Sequence, residues 1–599
     1  MEYTLDHCPV FWDHLIALSA EPNIDRLMEQ ILVGAKELTH SDGGTLYIAR
    51  EDGRLGFEII QNDTLNIKMG GTAGERPAFE PVPLKIPKTG EENHANVVSH
   101  AVLEKKTINI PNAYESMDFD FTGTRSFDAK TGYRSKSFLT VPLVPRGGDV
   151  IGALQLINAT DPATGEIIEF DEDIVPLVEA LAAQAAIALD NRNLILAQRH
   201  LMDSMIQLIA GAIDTKSPYT GGHCERVPEL AVMLAEAATE SDAEPFHDFG
   251  FTTEDEWREY RIGAWLHDCG KVTTPEYVVD KATKLETIYD RVHEVRMRFE
   301  VLLRDASIKY YQDILAGGDA EALKAQVNET YQKLQDDYAF VAECNVGGEF
   351  MHDEAIERIN EIAKTKWMRH FDDRIGISHS ESERKERTPA ETLPAEEFLL
   401  SNRDDHIVHR RKGDGEFDPA YGFEMEVPEH LYNLGEIYNL SIRRGTLTEE
   451  ERYKINEHII QTVIMLENMP FPKHLNRVPE YAVAHHETMI GTGYPRKLKK
   501  DQMSLGARIM AIADIFEALT AADRPYKKAK TLSESIRILS FFKKDEHIDG
   551  DLFDLFLTSG IYKKYADRFL EPHQIDEVDI NDYLEEKIVP LRPGNQAAE

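Results

Sequence analysis

The first 190 residues mix the hydrophobic patterns of helix and strand. One apolar face recurs through residues 24–38, as expected for an amphipathic helix, and short β-rich runs follow at residues 44–48, 57–60, 137–143 and 150–158. A glycine turn at residues 147–149 separates the last two runs and is typical of a hairpin. The pattern predicts an α+β domain over residues 1–190, built as an antiparallel sheet with helices.

A long helical stretch comes next, at residues 173–212, with no glycine or proline between Pro176 and Gly211. Hydrophobic residues recur in it every seven positions, at Ile187, Leu194, Leu201 and Leu208. The companion positions are mostly polar: Asn191, Gln198 and Met205. We expect a connecting helix that pairs with a second chain as a modest coiled coil, giving a homodimer. The alternative is an amphipathic connector within one chain.

The rest of the chain is mainly helical in pattern. Helical stretches are predicted at residues 228–238, 260–266, 320–342 and 354–366. A polar run at residues 379–398, rich in charged residues, serine and proline, predicts an exposed loop.

Composition narrows the classes of function. The chain of 599 residues is long enough for several domains, and its formal net charge of -40 argues against a nucleic-acid polymer as partner. Its four cysteines are scattered without a CxxC pair, which favours free thiols in a reducing compartment. Because we find no run of about 18 apolar residues and no basic leader, we expect no membrane span, no signal peptide and a cytoplasmic location.

Histidines and acids stand at the ends or on the inner faces of successive helix-like segments. The series is His223, His267, Asp268, His458, His485, His486 and Asp514. Imidazole nitrogens and carboxylate oxygens are common ligands of transition metals. Each pair is weak evidence by itself, because a chain with 22 histidines offers many chance neighbours. Only the whole series, in this order, indicates a metal centre.

Residues 20–190 resemble the GAF family of sensor domains. The resemblance rests on the strand SFLTVPL, the strand IGALQLIN and the run Phe170-Asp171-Glu172-Asp173 at the start of a long helix. It implies a sensor domain, which binds either a small-molecule effector or no ligand. Members that bind cyclic nucleotides carry an Asn-Lys pair, whereas this chain has Asn158-Ala159. We therefore expect Asn158 and the acidic run to have structural roles, with no cyclic nucleotide bound.

Five further motifs resemble the HD-GYP subgroup of the HD-domain phosphohydrolases. They are HDCGK at residues 267–271, HH at 485–486, GTGYP at 491–495, ARIMAIAD at 507–514 and RPYK at 524–527. The resemblance covers residues 205–294 and 440–570, and it implies an all-helical domain with a two-metal centre that hydrolyses cyclic di-GMP. Residues 295–440 then form a large, mainly helical insertion, and residues 571–599 form a tail.

The resemblance also implies roles for single residues. All seven residues of the series become metal ligands, with Asp268 as the carboxylate that bridges two divalent cations. Paired cations supply a nucleophile at neutral pH and stabilise the attacking and leaving oxygens of a phosphodiester. The mixed nitrogen and oxygen donors suit iron or manganese, and they leave zinc, nickel and cobalt open. Lys271 would assist catalysis, and the substrate would be bound by Lys271, Arg508, Arg524, Lys527 and Tyr494.

Two departures from the family pattern affect these expectations. Tyr219 stands where members with a third metal have a glutamate, so we expect two metals. The insertion leaves two candidates for one ligand, His293 and His458. We favour His458, because ligand geometry depends on the helix pair that His458 shares with His485 and not on the length of a loop.

Three functions stay open at this stage. The first is a sensor-regulated, metal-dependent phosphodiesterase that opens cyclic di-GMP to pGpG and can continue to GMP. The second is a non-catalytic receptor that binds a cyclic dinucleotide, or a protein partner, through the GYP turn. The third is a phosphohydrolase that acts on another cyclic nucleotide.

Overall fold

A computed structural model describes residues 8–21, 23–216, 222–348, 350–522 and 529–584. The chain divides into two compact units, Met1–Met202 and Asp203–Glu599.

The N-terminal unit is built on one antiparallel sheet. Its strands are β1 (Ser41–Ala49), β2 (Arg54–Asn62), β3 (Ile67–Met69), β4 (Val82–Pro83), β5 (Ile108–Ile110), β6 (Phe138–Leu143), β7 (Gly152–Thr160) and β8 (Ile167–Ile168). The order across the sheet is β3-β2-β1-β7-β6-β5, with β4 beside β2 and β8 beside β7. Residues Leu143 and Gly152 face each other across β6 and β7, which confirms the predicted hairpin.

Helices cover this sheet and supply its core. They are α1 (Cys8–Ala20), α2 (Ile24–Thr39), α3 (Val97–Glu104) and α4 (Thr122–Thr131). The apolar face of α2 buries Ile31, Leu32 and Ala35 completely, in one cluster with Leu154 and Leu156 of β7. Burying a leucine or isoleucine side chain contributes about 1.5–3 kcal/mol, so this face accounts for much of the unit's stability. The predicted α+β architecture is confirmed.

Asn158 has the structural role expected for it. Its side-chain oxygen accepts hydrogen bonds from the backbone of Lys136 (2.7 Å) and Ser137 (3.3 Å), and its amide nitrogen donates to the Arg134 carbonyl (2.9 Å). The residue is fully buried and has φ of 58°. Asparagine is one of the few residues that tolerate this left-handed conformation, so backbone geometry explains its presence here.

The longest helix is α5 (Val175–Asp214), which agrees with the stretch predicted at residues 173–212 and crosses the boundary between the two units. It has 40 residues. Among the described helices, none, including α5, is both long and apolar enough to span a bilayer.

The second unit is mainly helical. Its principal helices are α6 (His223–Glu240), α7 (Glu254–Leu266), α8 (Glu276–Val279), α14 (Glu449–Glu467), α15 (Val478–Val483), α16 (Leu505–Thr520), α17 (Leu532–Lys544), α18 (Gly550–Thr558) and α19 (Ile561–Phe569). Their core includes Leu234 of α6, Tyr260 of α7, Tyr481 of α15, and Ile509 and Phe516 of α16. The helices that supply the predicted ligands therefore pack directly against one another.

Residues 295–440 extend this unit with a second hydrophobic cluster. The helices are α9 (Val292–Leu315), α10 (Ala320–Val346), α11 (Asp353–Ala363), α12 (His379–Lys385) and α13 (Glu436–Leu440). Two small antiparallel sheets pair β9 (Lys366–Arg369) with β10 (Ala395–Phe398) and β11 (Ile407–His409) with β12 (His430–Asn433). Val295, Val341, Ile359 and Leu440 are buried together.

The prediction of one exposed loop at residues 379–398 is wrong at both ends of the run and holds for residues 386–394 between them. Helix α12 and strand β10 occupy both ends of this run. Lys385 at the end of α12 is buried, and its ammonium group pairs with Asp373 (2.7 Å) and Asp405 (3.2 Å). The polar run is ordered by ion pairs to residues distant in sequence, which a local pattern of polarity does not reveal.

Candidate metal centre

Seven side chains meet between the helices of the second unit. His223 is the first residue of α6, His267 follows α7, His458 lies in α14, His485 and His486 follow α15, and Asp514 lies in α16. They form two groups: His223, His267, Asp268 and Asp514, and Asp268, His458, His485 and His486. Within each group the candidate ligand atoms lie within 4.8 Å of one another. Asp268 belongs to both groups.

The two carboxylate oxygens of Asp268 face different groups. Oδ2 lies 3.2 Å from Nε2 of His223 and 3.3 Å from Nε2 of His267. Oδ1 lies 3.2 Å from Nε2 of His458 and 3.9 Å from Nε2 of His485. One carboxylate therefore directs an oxygen towards each cluster of imidazoles, which is the arrangement of a ligand that bridges two cations.

The remaining two residues complete the groups. Asp514 Oδ1 lies 3.3 Å from His223 Nε2 and 3.9 Å from His267 Nε2. His486 Nε2 lies 3.1 Å from His458 Nε2. His267, Asp268, His458 and His485 are buried to 2% exposure or less, so the centre is largely enclosed by protein.

Backbone carbonyls orient three of the imidazoles. In each case Nδ1 contacts the backbone carbonyl three residues earlier in the chain. The distance is 2.7 Å from His267 to Ala264, 2.6 Å from His458 to Ile455 and 2.8 Å from His485 to Ala482. A carbonyl oxygen only accepts hydrogen bonds, so Nδ1 must donate in each case. The lone pair of each imidazole then stays on Nε2, which points into the centre. Such outer hydrogen bonds are typical of metal-binding histidines.

Local sequence signals place the ligand-bearing helices. Helix α14 begins with a capping box, in which the Thr448 hydroxyl accepts from the backbone of Glu451 (3.2 Å) and the Glu451 carboxylate accepts from the backbone of Thr448 (2.9 Å). Helix α16 begins at Ser504, whose hydroxyl accepts from the Ala507 backbone. These caps define where each helix begins. They therefore fix the position along the helix axis at which His458 and Asp514 face the centre.

Gly270 allows close packing behind the centre. A Cβ atom at this position would lie 1.9 Å from the carbonyl oxygen of His458 and 2.7 Å from the backbone nitrogen of Thr462. The Gly270 nitrogen donates to the Thr462 hydroxyl at 3.0 Å. The glycine of the HDCGK motif is thus required because the 3-10 turn Cys269–Thr273 lies directly against α14.

The donor set fits two divalent metal ions. Among the described residues, His267 Nε2, His485 Nε2 and Asp268 Oδ1 are buried and have no hydrogen-bond partner. Buried polar atoms without a partner are costly, and these three all point into the same centre. Divalent cations there would satisfy them, with imidazole nitrogens and carboxylate oxygens as the ligands.

The protonation states of several donors also suit metal binding. Burial lowers the pKa of His485 to about 4, with repulsion from His267 as a further cause. Burial, with repulsion from His485 and His458, also holds the pKa of His486 well below its usual range. Burial alone would raise the pKa of Asp268, but Lys271 and His267 hold it well below the usual value. Neutral imidazoles and an ionised carboxylate are the forms that bind metals.

Lys271 and Tyr494 lie beside the ligands. The ammonium group of Lys271 contacts Asp268 Oδ2, and although burial lowers its pKa, Asp268 and Asp514 produce a net increase. The ring of Tyr494 stacks on His486, with centroids 4.8 Å apart and planes at 18°. Both residues are thus placed at the edge of the centre. Their roles in catalysis and substrate binding stay predictions.

The GTGYP turn is held by Glu487, a buried residue that we had not singled out from the sequence. Its carboxylate accepts hydrogen bonds from the backbone of Arg496 (2.7 Å) and Leu498 (2.9 Å). A Cβ atom on Gly493 would lie 2.5 Å from the His486 carbonyl oxygen, so only glycine fits this close approach. The turn is folded back onto the two histidines that precede it.

Three basic side chains of this region, the predicted substrate contact Arg508 among them, already have acidic or carbonyl partners. Arg508 pairs with Asp549, and Lys500 pairs with Asp549 and Asp551 at 3.0 Å each. Arg496 pairs with Glu467 and donates to the Tyr421 carbonyl at 2.7 Å, which holds the insertion to the GYP turn. Binding of substrate by Arg508 stays a prediction. Arg524, Lys527 and Tyr219 lie outside the described residues.

Glu517 is a further residue that the motifs did not identify. It is 1% exposed, and its Oε2 contacts His223 Nδ1 at 2.5 Å. Arg226 donates to the other oxygen at 2.7 Å. His223 is therefore oriented by a carboxylate, unlike the three histidines that contact carbonyls. The spacing of three residues from Asp514 places both acids on one helix face, which is the signal that could have revealed Glu517.

His458 and His293 differ in position. His458 is 2% exposed and belongs to the second ligand group, whereas His293 is exposed near the start of α9 and belongs to neither group.

We therefore expect His458→Ala to lower the bound metal from about two ions per chain, because one cation loses a ligand. His293→Ala is the matched control and should keep both ions. Elemental analysis of both purified variants measures this. Equal metal contents in the two variants would contradict the assignment.

Comparisons with known proteins agree with this architecture. The sequence pattern of the GAF domain matches residues 23–189, and that of the HD domain matches residues 396–552. The second match contains His458, His485, His486 and Asp514, and it leaves out His223, His267 and Asp268. In the structure these three residues lie beside the other four, although the insertion separates them in sequence.

Curated relatives share part of the chain. A 3'3'-cGAMP-specific phosphodiesterase from Vibrio cholerae is 32% identical over 148 residues, which are 23% of this chain and 33% of the relative. A cyclic di-GMP phosphodiesterase from Pseudomonas aeruginosa is 34% identical over 140 residues, 23% of this chain and 30% of the relative. The chain thus spans about a third of the length of these relatives. The resemblance to a GAF domain followed by an HD domain is confirmed by these matches, and the bounds of the domains stay predictions.

Proposed function

We propose that this protein is a metal-dependent phosphodiesterase that hydrolyses cyclic di-GMP to pGpG and can continue to GMP. The observation that carries the proposal is the Asp268 carboxylate, with Oδ2 3.2 Å from His223 and Oδ1 3.2 Å from His458. The proposed cofactors are two divalent ions, iron or manganese, held by the seven residues of the two groups. Two such ions, when bound, supply an activated nucleophile and neutralise charge on the phosphodiester.

The protein's own side chains would orient the substrate and balance its charge. The ammonium group of Lys271, placed beside Asp268 at the edge of the centre, is suited to contact a phosphate oxygen. Tyr494, stacked on His486, presents its ring at the edge of the same site. Arg508, Arg524 and Lys527 are proposed as further phosphate contacts. Contacts of this kind position a phosphodiester and stabilise the negative charge that develops on it.

The relatives support cyclic dinucleotides as the substrate class. They are named for cyclic di-GMP and for 3'3'-cGAMP, so the choice between these two substrates needs a direct comparison. Both carry two phosphodiester groups, the linkage that a pair of divalent ions is suited to hydrolyse.

Anaerobically purified protein should hydrolyse cyclic di-GMP, with about two metal ions per chain and 3'3'-cGAMP assayed beside it. Lys271→Met should lower kcat/KM by about 100-fold or more, because it removes a cation that stabilises developing charge. Lys544→Met, which alters an exposed lysine of α17, is the control and should keep full activity. Separation of the products by chromatography gives both rate and product.

Two outcomes of this assay would contradict the proposal. Metal-loaded protein that binds a cyclic dinucleotide without turnover would indicate a receptor. Turnover confined to another class of cyclic nucleotide would keep the phosphodiesterase activity but change its substrate.

We also propose that the GAF domain senses an uncharged, largely apolar small molecule. The domain contains a cavity of 410 Å³ whose walls include the aromatic residues Tyr47, Phe57, Phe121 and Phe138. Among the described residues that line it there is no lysine, arginine or histidine, and Asp120 contributes a carboxylate. A phosphate group would find no cationic partner there, which would make its burial unfavourable.

Thermal unfolding of the metal-free protein can test the class of effector. Indole, a neutral aromatic probe, should raise the melting temperature of the GAF domain, because binding only to the folded state stabilises it. Cyclic GMP should leave that temperature unchanged at the same concentration. Saturable stabilisation by cyclic GMP, with none by indole, would show that the cavity accepts anions and would refute the proposal.

A homodimer is the proposed assembly. Leu194, Leu201 and Leu208 of α5 are 60%, 62% and 73% exposed, and they recur every seven residues on one face. A second copy of α5 is the proposed occupant of this face, since the spacing is that of a two-stranded coiled coil. A separate protein partner at the GYP turn is also proposed, where Ile490 is 44% exposed.

Charge on the seam of α5 should separate the dimer. Leu201→Glu with Leu208→Glu places like charges opposite each other, so sedimentation should change from dimer to monomer. Asn193→Glu adds an exposed charge outside the seven-residue series and is the matched control. If the double variant sediments as the wild type does, the seam does not hold the dimer together.

The cytoplasm is the proposed location of the protein. Cys224, Cys269 and Cys344 are free thiols, which suits a reducing compartment. Fractionation of cells that express a tagged chain would test this placement, and recovery outside the cytoplasmic fraction would refute it.

A further inference from the structure

The end of the connecting helix is attached to the elements that present the metal ligands. Ile206, Ala210 and Ile213 of α5 are 7%, 3% and 7% exposed, and their spacing of four and three residues places them on one helix face. This face is buried within the second unit, whereas Leu208 beside it is exposed. The last turns of α5 therefore pack as part of the second unit.

Three polar contacts attach the end of α5 to helix α7, to helix α6 and to the turn that follows Asp268. Asp203 receives two hydrogen bonds from Nε and one from Nη2 of Arg258, at 2.7–3.2 Å, and Arg258 belongs to α7, the helix that leads to His267. Asp214 contacts the beginning of α6, where His223 lies. Lys216 contacts the turn that follows Asp268. Each contact thus reaches an element that carries a ligand or lies directly beside one.

Asp214 acts as a cap for the helix that begins with His223. The backbone N–H of Cys224 donates to both carboxylate oxygens of Asp214, at 3.0 and 3.2 Å. Gly222 is the N-cap residue of α6 and offers no side-chain acceptor. Helix N-termini have unpaired N–H groups and a partial positive charge, so a carboxylate there stabilises the first turn. In this protein that carboxylate comes from α5.

Lys216 binds the turn that follows Asp268. Its ammonium group donates to the carbonyl oxygens of Lys271 (3.1 Å) and Val272 (2.5 Å). This turn, Cys269–Thr273, immediately follows Asp268, and Gly270 packs it against the backbone of His458. A displacement of Lys216 would therefore move this turn and, with it, Asp268, whose carboxylate faces both ligand groups.

We propose that Asp214 and Lys216 are positioning residues, through which the end of the connecting helix determines the geometry of the metal centre. The proposal rests on the proposed function only in taking the centre as a two-metal site. Asp214 fixes the first turn of α6 and so His223, and Lys216 fixes the turn after Asp268. Neither side chain is a ligand. A change in the position of this helix end would alter metal binding without altering any ligand residue.

Metal binding to the full-length protein tests the proposal without substrate. Asp214→Ala removes the acceptor for the Cys224 N–H, and we expect the apparent Kd for one of two Co²⁺ ions to rise by about 10- to 100-fold. Asp214→Asn keeps an oxygen acceptor and should stay within about threefold of the wild type. The visible absorption spectrum of the Co²⁺-loaded protein should change with Asp214→Ala and recover with Asp214→Asn.

A matched control and a second variant make the result decisive. Glu225→Gln removes an exposed charge in the first turn of α6 and leaves the bond between Asp214 and Cys224, so it should bind both ions normally. Lys216→Met keeps the length of the side chain but not its donor, and it should weaken Co²⁺ binding by about tenfold. This variant provides the test if Asp214→Ala does not fold.

Three results would overturn the proposal. They are unchanged Co²⁺ affinity in both Asp214→Ala and Lys216→Met, equal loss in Asp214→Asn and Asp214→Ala, or the same loss in Glu225→Gln. Hydrolysis by the wild-type protein is measured separately. Its absence would refute the proposed function and would leave the Co²⁺ result to be judged on its own.

Discussion

The structure of the second unit depends on one buried negative charge. The Asp268 side chain is only 2% exposed, and a carboxylate at such a position is unfavourable unless cations or donors surround it. Here Lys271 and imidazoles from four different elements surround it. Lys271 and His267 lie within three residues of Asp268, whereas His223, His458 and His485 reach its carboxylate only when the helices have assembled. The centre is therefore complete only in the folded unit.

Much of the fold follows from local patterns. The helix at residues 24–38, the strands β1, β2, β6 and β7 and the hairpin at residues 147–149 have strong local signals and occur as predicted, whereas the short strands β3, β4, β5 and β8 are not marked by the sequence pattern. The long helix does as well. The failure at residues 379–398 has a physical cause, since Lys385 is buried by ion pairs with Asp373 and Asp405. Partners that lie 12 and 20 residues away leave no trace in the local alternation of polar and apolar positions.

The centre shows the same division between motif and context. The seven residues that carry the motifs are brought together, although residues 295–440 separate the first from the last. The motifs do not reveal which other side chains contact each of these residues. Arg508 is expected to contact the substrate, yet its guanidinium is paired with Asp549, a residue 41 positions later. Glu517 and Glu487 were overlooked because a single glutamate in a helix or loop is ordinary, and only burial distinguishes it.

The ligand groups on either side of Asp268 are chemically unequal. Besides Asp268, one offers His223, His267 and the carboxylate of Asp514, while the other offers three imidazoles and no further acid. The first also has His223 in contact with Glu517, which makes that imidazole a stronger donor. The first position is thus the harder and more anionic of the two, and it favours ions that prefer oxygen. The two halves of this centre are therefore not interchangeable as sets of donor atoms.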